Sequence, residues 1–491
     1  MQSATAKIGP DADAAPGRVL IAGAGPAGLT AAYELSRRGA RPVVFERDTI
    51  VGGHARTAVF RGYRFDMGGH RFFTKIPRVQ QIWDDLMGDD MLRVARLSRI
   101  YYNQHFFRYP LQIGNVLAGL GLWNSFCIGM SYLYALAFPC KAEETFEQWV
   151  VNRFGRRLYR TFFKSYTEKV WGIPCDQIGA EWASQRIKGL SMRKALLHAI
   201  VGDRRGTSKT LIDEFQYPRL GPGMLWERMA DVVGRDNGET RLGAPVQSIS
   251  REGDRVTGFV VAQGDDVTTM TGSSYIGSMP MAAAVRMMDP PPPDEVIRAA
   301  NALNHRDFLT VCVIVEGSDL FPDNWIYIHE PSVRMGRLQN FRNWSAEMVP
   351  DEGRSGLGAE FFVTRGDDLW EMDDQDLVAL TARELEQLGL LDADQVVDGV
   401  VYRRANAYPV YDGDYKTHLK TLERFFRRFS NLQMVGRSGL HKYNNQDHSM
   451  LTAILAVENL FGADHDIWAV NTDDEYHEEG SAAPAAQVAR G

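Results

Sequence analysis

The chain has 491 residues, of which 44% are hydrophobic and 24% are charged, with a net charge of −7. These values are typical of a globular protein of two or three domains. The acidic balance argues against nucleic acid as a partner, because phosphate backbones bind basic surfaces. The four cysteines form no CxxC pair. We therefore expect no metal site, no disulfide framework and a reducing, cytoplasmic location.

The first predicted elements are a strand, a helix and a second strand within residues 18–46. VLIAG and PVVFE are apolar runs typical of buried strands, and residues 26–38 between them have the spacing of an amphipathic helix. Residues 1–17 are rich in Ala, Asp and Pro and lack the apolar core of a signal peptide. We expect this segment to be a disordered tail, and residues 463–491 to be a second one.

The turn between the first strand and the helix matches the GxGxxG pattern of dinucleotide-binding proteins. Its residues are Gly23-Ala24-Gly25-Pro26-Ala27-Gly28. Gly23 permits the tight turn, Gly25 lets the backbone approach a pyrophosphate, and Gly28 lets the helix pack on the strand. The positive end of the helix dipole then faces the phosphate charge.

An acidic residue, Glu46, ends the second strand. A carboxylate there accepts hydrogen bonds from the ribose hydroxyls of a dinucleotide and disfavours a 2′-phosphate. GxGxxG alone is a weak signal, because a tight strand–helix turn without a ligand has the same pattern. The strand, the helix and the acid together predict a dinucleotide site.

Helical patterns dominate residues 77–197, which predicts a helical insertion at 78–209. Within it, residues 109–140 contain no charged side chain, and Leu117–Leu122 and Tyr132–Phe138 are strongly apolar. A transmembrane span is the alternative on length. However, Asn, Ser and Gly interrupt the stretch and prolines bracket it. We expect helices that are buried in the insertion, and contact of 109–140 with a membrane is not favoured.

The rest of the chain alternates further strands and helices. Phe215–Val233 is predicted as a strand, a Gly/Pro loop and a helix, and Asp447–Phe461 as the last helix. Strands are predicted at Val246–Ile249, Val256–Val261, Phe308–Val315, Gly358–Val363 and Leu432–Gly436. Interleaved strands and helices predict an α/β fold with insertions rather than separate domains in a row.

Three further motifs resemble a large FAD-binding family. The double-glycine loop Val51-Gly52-Gly53-His54 is followed by GYRFDMGGH, which ends at His70, and Asn445-Gln446-Asp447-His448 begins the last helix. The family includes amine oxidases, protoporphyrinogen oxidases and UDP-galactopyranose mutases. The resemblance implies FAD as the cofactor, with Asp447 near the ribityl chain. The implied cofactor-binding residues are Gly23, Gly25, Pro26, Ala27, Gly28, Glu46, Arg47, Gly53, His54, Gly68, Gly69, Val246, Gly436, Arg437, Asn445, Gln446, Asp447 and His448.

Within this family the chain most resembles the UDP-galactopyranose mutases, loosely over residues 18–462. The matching segments are Gly68–His70, Lys169–Trp171, Trp182–Arg186, Phe215–Pro218, Ala407–Pro409, Gly436–Arg437, Lys442–Tyr443 and Asn445–Ser449. The resemblance implies that His70 lies beside the flavin. It also implies that Arg186, Tyr408 and Tyr443 contact the diphosphate of a nucleotide sugar. Each also has a purely structural interpretation: His70 as a turn histidine, Arg186 as part of a solvated helix face, Tyr408 as a core tyrosine and Tyr443 as a surface tyrosine.

The sequence departs from the mutases at a second diphosphate-binding arginine. It is expected near the end of the strand in Phe308–Gly317, but Val315–Ser318 contains none and Glu316 would repel a diphosphate. Arg334, Arg337 and Arg342 are candidates to replace it from another direction.

The predicted architecture is a Rossmann-like FAD-binding domain, a helical insertion and a substrate domain built on a mixed or antiparallel sheet. The FAD-binding domain comprises 18–77, 210–285 and 430–462, and the substrate domain is 286–429. Three functions remain open. The first, implied by the mutases, is a redox-neutral isomerisation of a nucleotide diphosphate sugar through a flavin N5–sugar adduct. The second is an oxidoreductase acting on a sugar, an amine or another small molecule. The third is a flavin-bearing protein without turnover. NAD(P)H remains a candidate reductant, although no second GxGxxG is visible.

Overall fold

A computed structural model describes residues 17–109, 113–180 and 214–471. The predicted strand–helix–strand unit is present as Arg18–Ala22, Pro26–Arg37 and Arg41–Phe45. The two strands pair in parallel. Both are buried along almost their whole length, which agrees with their continuous apolar runs, because parallel strands are covered on both faces.

This unit forms the centre of a five-stranded parallel sheet. Its strands, in order across the sheet, are Leu432–Met434, Ser274–Gly277, Arg18–Ala22, Arg41–Phe45 and Glu239–Arg241. The helix Gln446–Leu460 packs on Pro26–Arg37, as does the helix Gly223–Arg235. Segments far apart in sequence therefore build one Rossmann-like layer. A four-stranded sheet lies beside it, with strands Asp266–Met270, Arg255–Gln263, Val246–Glu252 and Met288–Asp289.

The second large layer is a seven-stranded mixed sheet. Its strands, in order, are Val396–Pro409, His305–Glu316, Arg354–Val363, Arg337–Asn340, Trp325–Ile328, Ser98–Tyr102 and His105–Arg108. All neighbouring pairs are antiparallel except Trp325–Ile328 with Ser98–Tyr102. The helix Asp374–Gln387 packs on this sheet. The α/β fold with a mixed substrate sheet is as predicted.

The insertion at 78–209 is not purely helical, which corrects the prediction. Its described part contains the helices Pro77–Met87, Ile113–Ala137, Phe146–Phe154 and Ser165–Trp171, with a π-helical stretch at Tyr159–Lys164. It also contains the strands Met91–Ala95, Ser98–Tyr102 and His105–Arg108. The last two extend the seven-stranded sheet, and Met91–Ala95 pairs with Glu214–Pro218. Their partners lie far away in sequence, so local pattern did not reveal them.

The predicted boundaries of the substrate domain and the C-terminal tail also change. The helices Asp294–Ala302 and Tyr415–Phe426 pack on each other and contribute to the core beneath the five-stranded sheet. Residues 463–471 belong to the folded body: Ile467 is buried in the same core, and Lys442 donates to the Val470 carbonyl oxygen at 3.1 Å. The strands Thr57–Phe60 and Tyr63–Asp66 form one hairpin. Short helices lie at Met281–Arg286, Phe341–Trp344, Asp368–Glu371 and Gly436–Gly439.

The apolar stretch at 109–140 differs most from expectation. The helix Ile113–Ala137 lies at the surface, and one face of it is exposed rather than buried in the insertion. Gly121 has a non-helical backbone within it, with φ 78° and ψ 161°. Among the described residues, no helix combines the length and the apolar character that crossing a bilayer requires.

Candidate active site

A cavity of about 720 Å³ opens between the five-stranded and seven-stranded sheets. One part, which we call the glycine part, is lined by Glu46, Gly53 and four residues of the first turn, Gly23, Gly25, Pro26 and Ala27. The other is lined by Trp325, Tyr327, Tyr408 and Tyr443, and we call it the aromatic part.

The glycine part is built around the sharp turn after the first strand. Gly23 has φ 103° and donates to the Phe45 carbonyl oxygen at 2.8 Å. A Cβ on Gly28 would lie 1.8 Å from the Gly23 carbonyl oxygen, so only glycine allows the helix to pack this closely. A Cβ on Gly25 would meet the protein only at Gly53 Cα, at 3.7 Å. Gly28 therefore serves packing, whereas Gly25 keeps an approach to the backbone open.

The carboxylate of Glu46 is held by the same turn. One oxygen accepts from the Ala24 backbone N–H at 2.7 Å, and the other accepts from the Asp48 N–H at 3.0 Å. The Gly52 N–H donates to the Ala24 carbonyl oxygen at 2.8 Å. The double-glycine loop thus lies directly on the GxGxxG turn, although the two motifs are separated in sequence.

Two arginines that the sequence analysis did not single out flank this part. Arg56 bonds Asp48 at 2.5 Å, and Arg404, from the seven-stranded sheet, reaches the same carboxylate at 3.3 Å. Burial raises the pKa of Asp48, but Arg56 and Arg404 outweigh it and leave the pKa below its usual value. Burial lowers the pKa of Arg404 to about 10. The Nε of Arg404 is buried without a hydrogen-bond partner among the described residues.

The C-terminal motif returns to the same place. Gly436 has φ 82°, and a Cβ there would lie 2.8 Å from the Cβ of Ala27 in the first helix. Asn445 caps the helix Gln446–Leu460 in a capping box with His448. Asp447 is buried and lines the cavity, and the buried Oε1 of Gln446 has no partner among the described residues. The N-terminal and C-terminal motifs therefore face one chamber.

Two half-buried histidines, His54 and His70, line the cavity between these motifs. His70 donates its Nδ1–H to the Gly68 carbonyl oxygen at 3.0 Å. Burial lowers the pKa of His70 to about 4 and that of His54 to about 3. Both imidazoles are therefore neutral near pH 7, and the Nε2 of His70 is an acceptor rather than a cationic donor.

The aromatic part combines tyrosines with arginines. Tyr408 stacks on Tyr443 at 5.7 Å between ring centroids, and the Arg437 guanidinium lies 4.0 Å from the centroid of Tyr443. Burial raises the pKa of Tyr408, so its hydroxyl remains a donor. Arg337 is held by the buried carboxylate of Glu360, which also accepts from Gln339 at 2.8 Å. Tyr443 is thus a cavity residue and not a surface residue.

Arg96 is the cation with the fewest internal partners in the aromatic part. Its guanidinium lies over the rings of Tyr109 and Trp325, at 5.5 and 5.4 Å from their centroids. Its Nε and Nη2 atoms are buried and have no hydrogen-bond partner among the described residues. Sequence reasoning missed Arg96 because nothing in the surrounding pattern marks it as a cavity residue.

Most of the predicted site residues line this one cavity. They are Gly23, Gly25, Pro26, Ala27, Glu46, Arg47, Gly53, His54, Gly68, Gly69, His70, Val246, Tyr408, Gly436, Arg437, Tyr443, Asn445, Gln446 and Asp447. Gly28 and His448 do not line it, because Gly28 packs beneath the turn and His448 belongs to the helix cap. Arg186, with Trp182, lies outside the described residues.

The three arginines considered as replacements for the missing mutase arginine separate clearly. Arg337 lines the cavity. Arg334 instead pairs with Asp368 at 2.6 Å, and Arg342 donates to the carbonyl oxygens of Asp351 and Arg354 at 3.0 Å. Neither of these two lines the cavity.

A family model for flavin containing amine oxidoreductases matches residues 26–441, which is more than half of the chain. The chain belongs to this family. It is a flavin-dependent enzyme, and the family implies FAD as its cofactor.

The curated relatives that the chain matches are distant from it in sequence. The chain is 23% identical over 295 residues to a 15-cis-phytoene desaturase of Synechococcus elongatus, an alignment that covers 54% of this chain and 58% of that protein. It is 42% identical over 69 residues to protoporphyrinogen oxidase 2 of Arabidopsis thaliana, covering 14% of each. These alignments span less than two thirds of either relative.

Solved structures of family members share the fold over nearly the whole chain. A reduced UDP-galactopyranose mutase superposes with a TM-score of 0.79 at 21% identity, covering 93% of this chain and 98% of that one. A putative protoporphyrinogen oxidase from Exiguobacterium sp. gives a TM-score of 0.68 at 16% identity, covering 90% and 98%. At these identities the likeness establishes the fold alone.

The glycine part fits the FAD that the family implies. The first turn of the helix Pro26–Arg37 has no side-chain cap, so its N–H groups are open to a pyrophosphate. The unpartnered Nε of Arg404 supplies a further donor for an anion, and Glu46 is a fixed acceptor for ribose hydroxyls. Gly25 and Gly53 leave the backbone bare where the ligand would pass.

Proposed function

We propose that this flavoenzyme acts on a nucleotide diphosphate sugar and catalyses a redox-neutral, mutase-like isomerisation. The observation that carries the proposal is the arginine-rich aromatic part of the cavity. Arg96, Arg337 and Arg437 line it, in a chain whose net charge is −7. The lining residues from the seven-stranded sheet include no carboxylate in the part of the chain described here. Glu360 neutralises Arg337, whereas Arg96 and Arg437 form no ion pair among the described residues. Their positive charge attracts a diphosphate and repels an ammonium group.

The side chains of this chamber suit a leaving diphosphate. Arginines offer charge-assisted donors, and burial raises the pKa of Tyr408, so its hydroxyl is a neutral donor when charge develops on the leaving oxygen. Neutral His70 accepts a hydrogen bond without adding charge. Bound FAD would supply either a nucleophilic N5 when reduced or a hydride acceptor when oxidised. The fold likeness to UDP-galactopyranose mutase, a protein named for a nucleotide sugar, supports the first.

An oxidoreductase acting on a sugar, an amine or another small molecule is the second candidate. The names of the curated relatives, desaturases and an oxidase, favour it. Turnover distinguishes the two. An isomerase keeps turning over under anaerobic conditions once its flavin has been reduced, without net loss of electrons. An oxidoreductase stops after one turnover unless an acceptor is added.

Binding of nucleoside diphosphates tests the substrate class. We expect UDP or another nucleoside diphosphate to bind the holoenzyme in calorimetry, in the oxidised or the reduced state. Arg96→Gln should weaken this binding about tenfold, since one charge-assisted donor is lost, while flavin content stays unchanged. Arg93→Gln, on the neighbouring exposed strand position, is the matched control. If no nucleoside diphosphate binds the wild type in either state, the oxidoreductase becomes the leading function.

A further inference from the structure

The surface helix Ile113–Ala137 and the residue after it expose a concentrated set of large apolar side chains. Trp123 is 73% exposed, Phe126 58%, Leu133 57% and Phe138 69%. Met130, Tyr134 and Leu136 are exposed beside them. We call these seven residues the apolar face. Patches of this kind on soluble proteins mark interaction sites, because exposing them to water is unfavourable.

The helix is anchored to the protein by its opposite side. Ile128, Tyr132 and Ala135 are buried, and they alternate with the exposed positions at helical spacing. The backbone of Tyr132 lies close to Gly155: a Cβ on Gly155 would be 2.7 Å from the Tyr132 backbone nitrogen. The apolar face is therefore held in a fixed position while its outer side has no cover among the described residues.

Basic side chains adjoin the apolar face. Arg156 and Arg157 are exposed on the short helix Arg156–Leu158, which packs against this helix. Arg160 and Lys164 are exposed on the π-helical stretch that follows it. The Arg157 guanidinium donates to the Asn124 side chain at 2.6 Å, which places it beside Trp123. Glu147 lies 3.9 Å from Arg156 and offsets one of the four positive charges, so the cluster retains a positive excess. This excess stands out in a chain of net charge −7.

We propose that the apolar face docks in the interfacial region of a bilayer containing anionic lipids. One side of the helix is buried against the protein, its other side is exposed, and its backbone is broken at Gly121, which suits a helix lying in the membrane plane and not one crossing it. Trp and Tyr favour the level of the lipid headgroups, and nearby arginines gain from anionic ones. This inference goes beyond the proposed function and does not depend on it.

A second copy of the chain is a poorer occupant for electrostatic reasons. In a symmetric dimer the same surface meets itself, so the basic residues of both copies would be brought to one interface. Like charges brought together at an interface oppose association. An anionic bilayer instead offers apolar and negative surface side by side.

The apolar face is also connected to the cavity. Tyr109, just before the helix, contacts Tyr327 at 5.0 Å between ring centroids and lies under the Arg96 guanidinium. Ile128 belongs to the same hydrophobic cluster against which Tyr408 and Tyr443 pack. Docking would therefore bring the aromatic part of the cavity towards the bilayer.

Vesicle flotation of the holoenzyme tests the proposal. We expect binding to vesicles of phosphatidylcholine with phosphatidylglycerol, and weaker binding to phosphatidylcholine alone. Trp123→Ser with Phe126→Ser should weaken binding about tenfold or more, because large apolar side chains drive interfacial insertion. Val59→Ser with Val267→Ser, two exposed valines on strands elsewhere, is the matched control. Arg156→Glu with Arg160→Glu should reduce binding only to the anionic vesicles.

Several results would overturn docking. The first is no binding of the wild type to either kind of vesicle. The second is equal binding by the wild type and the Trp123/Phe126 variant. The third is a wild-type dimer that does not bind vesicles and that becomes monomeric in this variant. Flavin content reports folding of each variant. If the double variant loses flavin, quenching by brominated lipid decides, measured as the difference between wild type and Trp123→Phe because the chain has ten tryptophans. A Trp123 contribution to quenching supports docking, and its absence refutes it.

Discussion

The two parts of the cavity were built from different kinds of sequence information. The glycine part consists of short contiguous motifs whose glycines have the positive φ or the close contacts that their spacing predicts, as at Gly23 and Gly28. The aromatic part is assembled from single residues far apart in sequence, such as Arg96, Trp325 and Tyr408. The first part is specified locally and suits a cofactor shared across a family. The second is specified by tertiary structure, and we propose that it binds the substrate.

The largest expected effect separates cofactor binding from folding within the glycine part. Gly25→Asp should lose FAD, with affinity reduced on the order of a hundredfold or more, since a carboxylate would be placed at the pyrophosphate. The fold should survive, because the nearest protein atom to a Cβ there is at 3.7 Å. The flavin-to-protein ratio after purification measures this, with FAD released from wild type by acid as the reference.

Gly28→Ala is the contrasting variant. Its Cβ would overlap the Gly23 carbonyl oxygen, so we expect loss of soluble folded protein rather than loss of flavin alone. Full flavin occupancy in Gly25→Asp would show that the cofactor does not pass this turn.

The next effect tests the aromatic part through a residue assigned by resemblance only. Arg186→Ala should lower turnover on a nucleotide sugar about a hundredfold, typical for losing one donor to developing charge. Flavin absorbance should be unchanged. Steady-state kinetics measures this, with Lys188→Ala as the neighbouring control. Unaltered kinetics in Arg186→Ala would remove this residue from the site.

A smaller effect is expected at Glu46. Its two carboxylate oxygens each accept a backbone N–H, and Glu46→Gln would place an amide NH₂ against one of these donors. We expect FAD affinity to fall about tenfold, because one of the two acceptor oxygens is lost. Titration of the apoprotein with FAD measures it, and Glu239→Gln on the adjacent strand is the control. Unchanged affinity would mean that Glu46 orders the turn without contacting the ribose.

The last effect concerns stability and extends beyond the cavity, because only His54 and His70 of the five histidines concerned line it. Burial lowers the pKa of five histidines: His54, His329 and His441 to about 3, and His70 and His305 to about 4. Between pH 6.5, the ordinary pKa of histidine, and these lowered values, the imidazoles bind protons only in the unfolded chain. The free energy of unfolding should therefore fall as pH drops from about 6.5 towards 4.

Urea unfolding at several pH values with excess FAD measures this slope. Each buried histidine contributes about 1.4 kcal/mol per pH unit within its window. His441→Asn keeps a residue that tolerates φ 49° and should make the slope shallower by that amount. His105→Asn, at an exposed position, should leave it unchanged. An identical slope in His441→Asn would contradict a neutral buried imidazole.

The sequence alone determined the strand–turn–helix unit and the acid, Glu46, at the end of its second strand. These features depend on the φ values of glycines, on apolar runs and on helix spacing, which are properties of contiguous residues. The motif Asn445–His448 was also predicted to lie at the cofactor site, and Asn445, Gln446 and Asp447 line the cavity. This position requires the far end of the chain to join the first sheet.

Only the tertiary structure decided the rest. Strands inside the predicted helical insertion formed because Trp325–Ile328 offered an edge to Ser98–Tyr102. Arg337, and not Arg334 or Arg342, reached the cavity because its strand pairs with Arg354–Val363. The exposure of Trp123 also could not be predicted, since hydrophobicity shows that a side chain prefers to leave water but does not determine what will cover it.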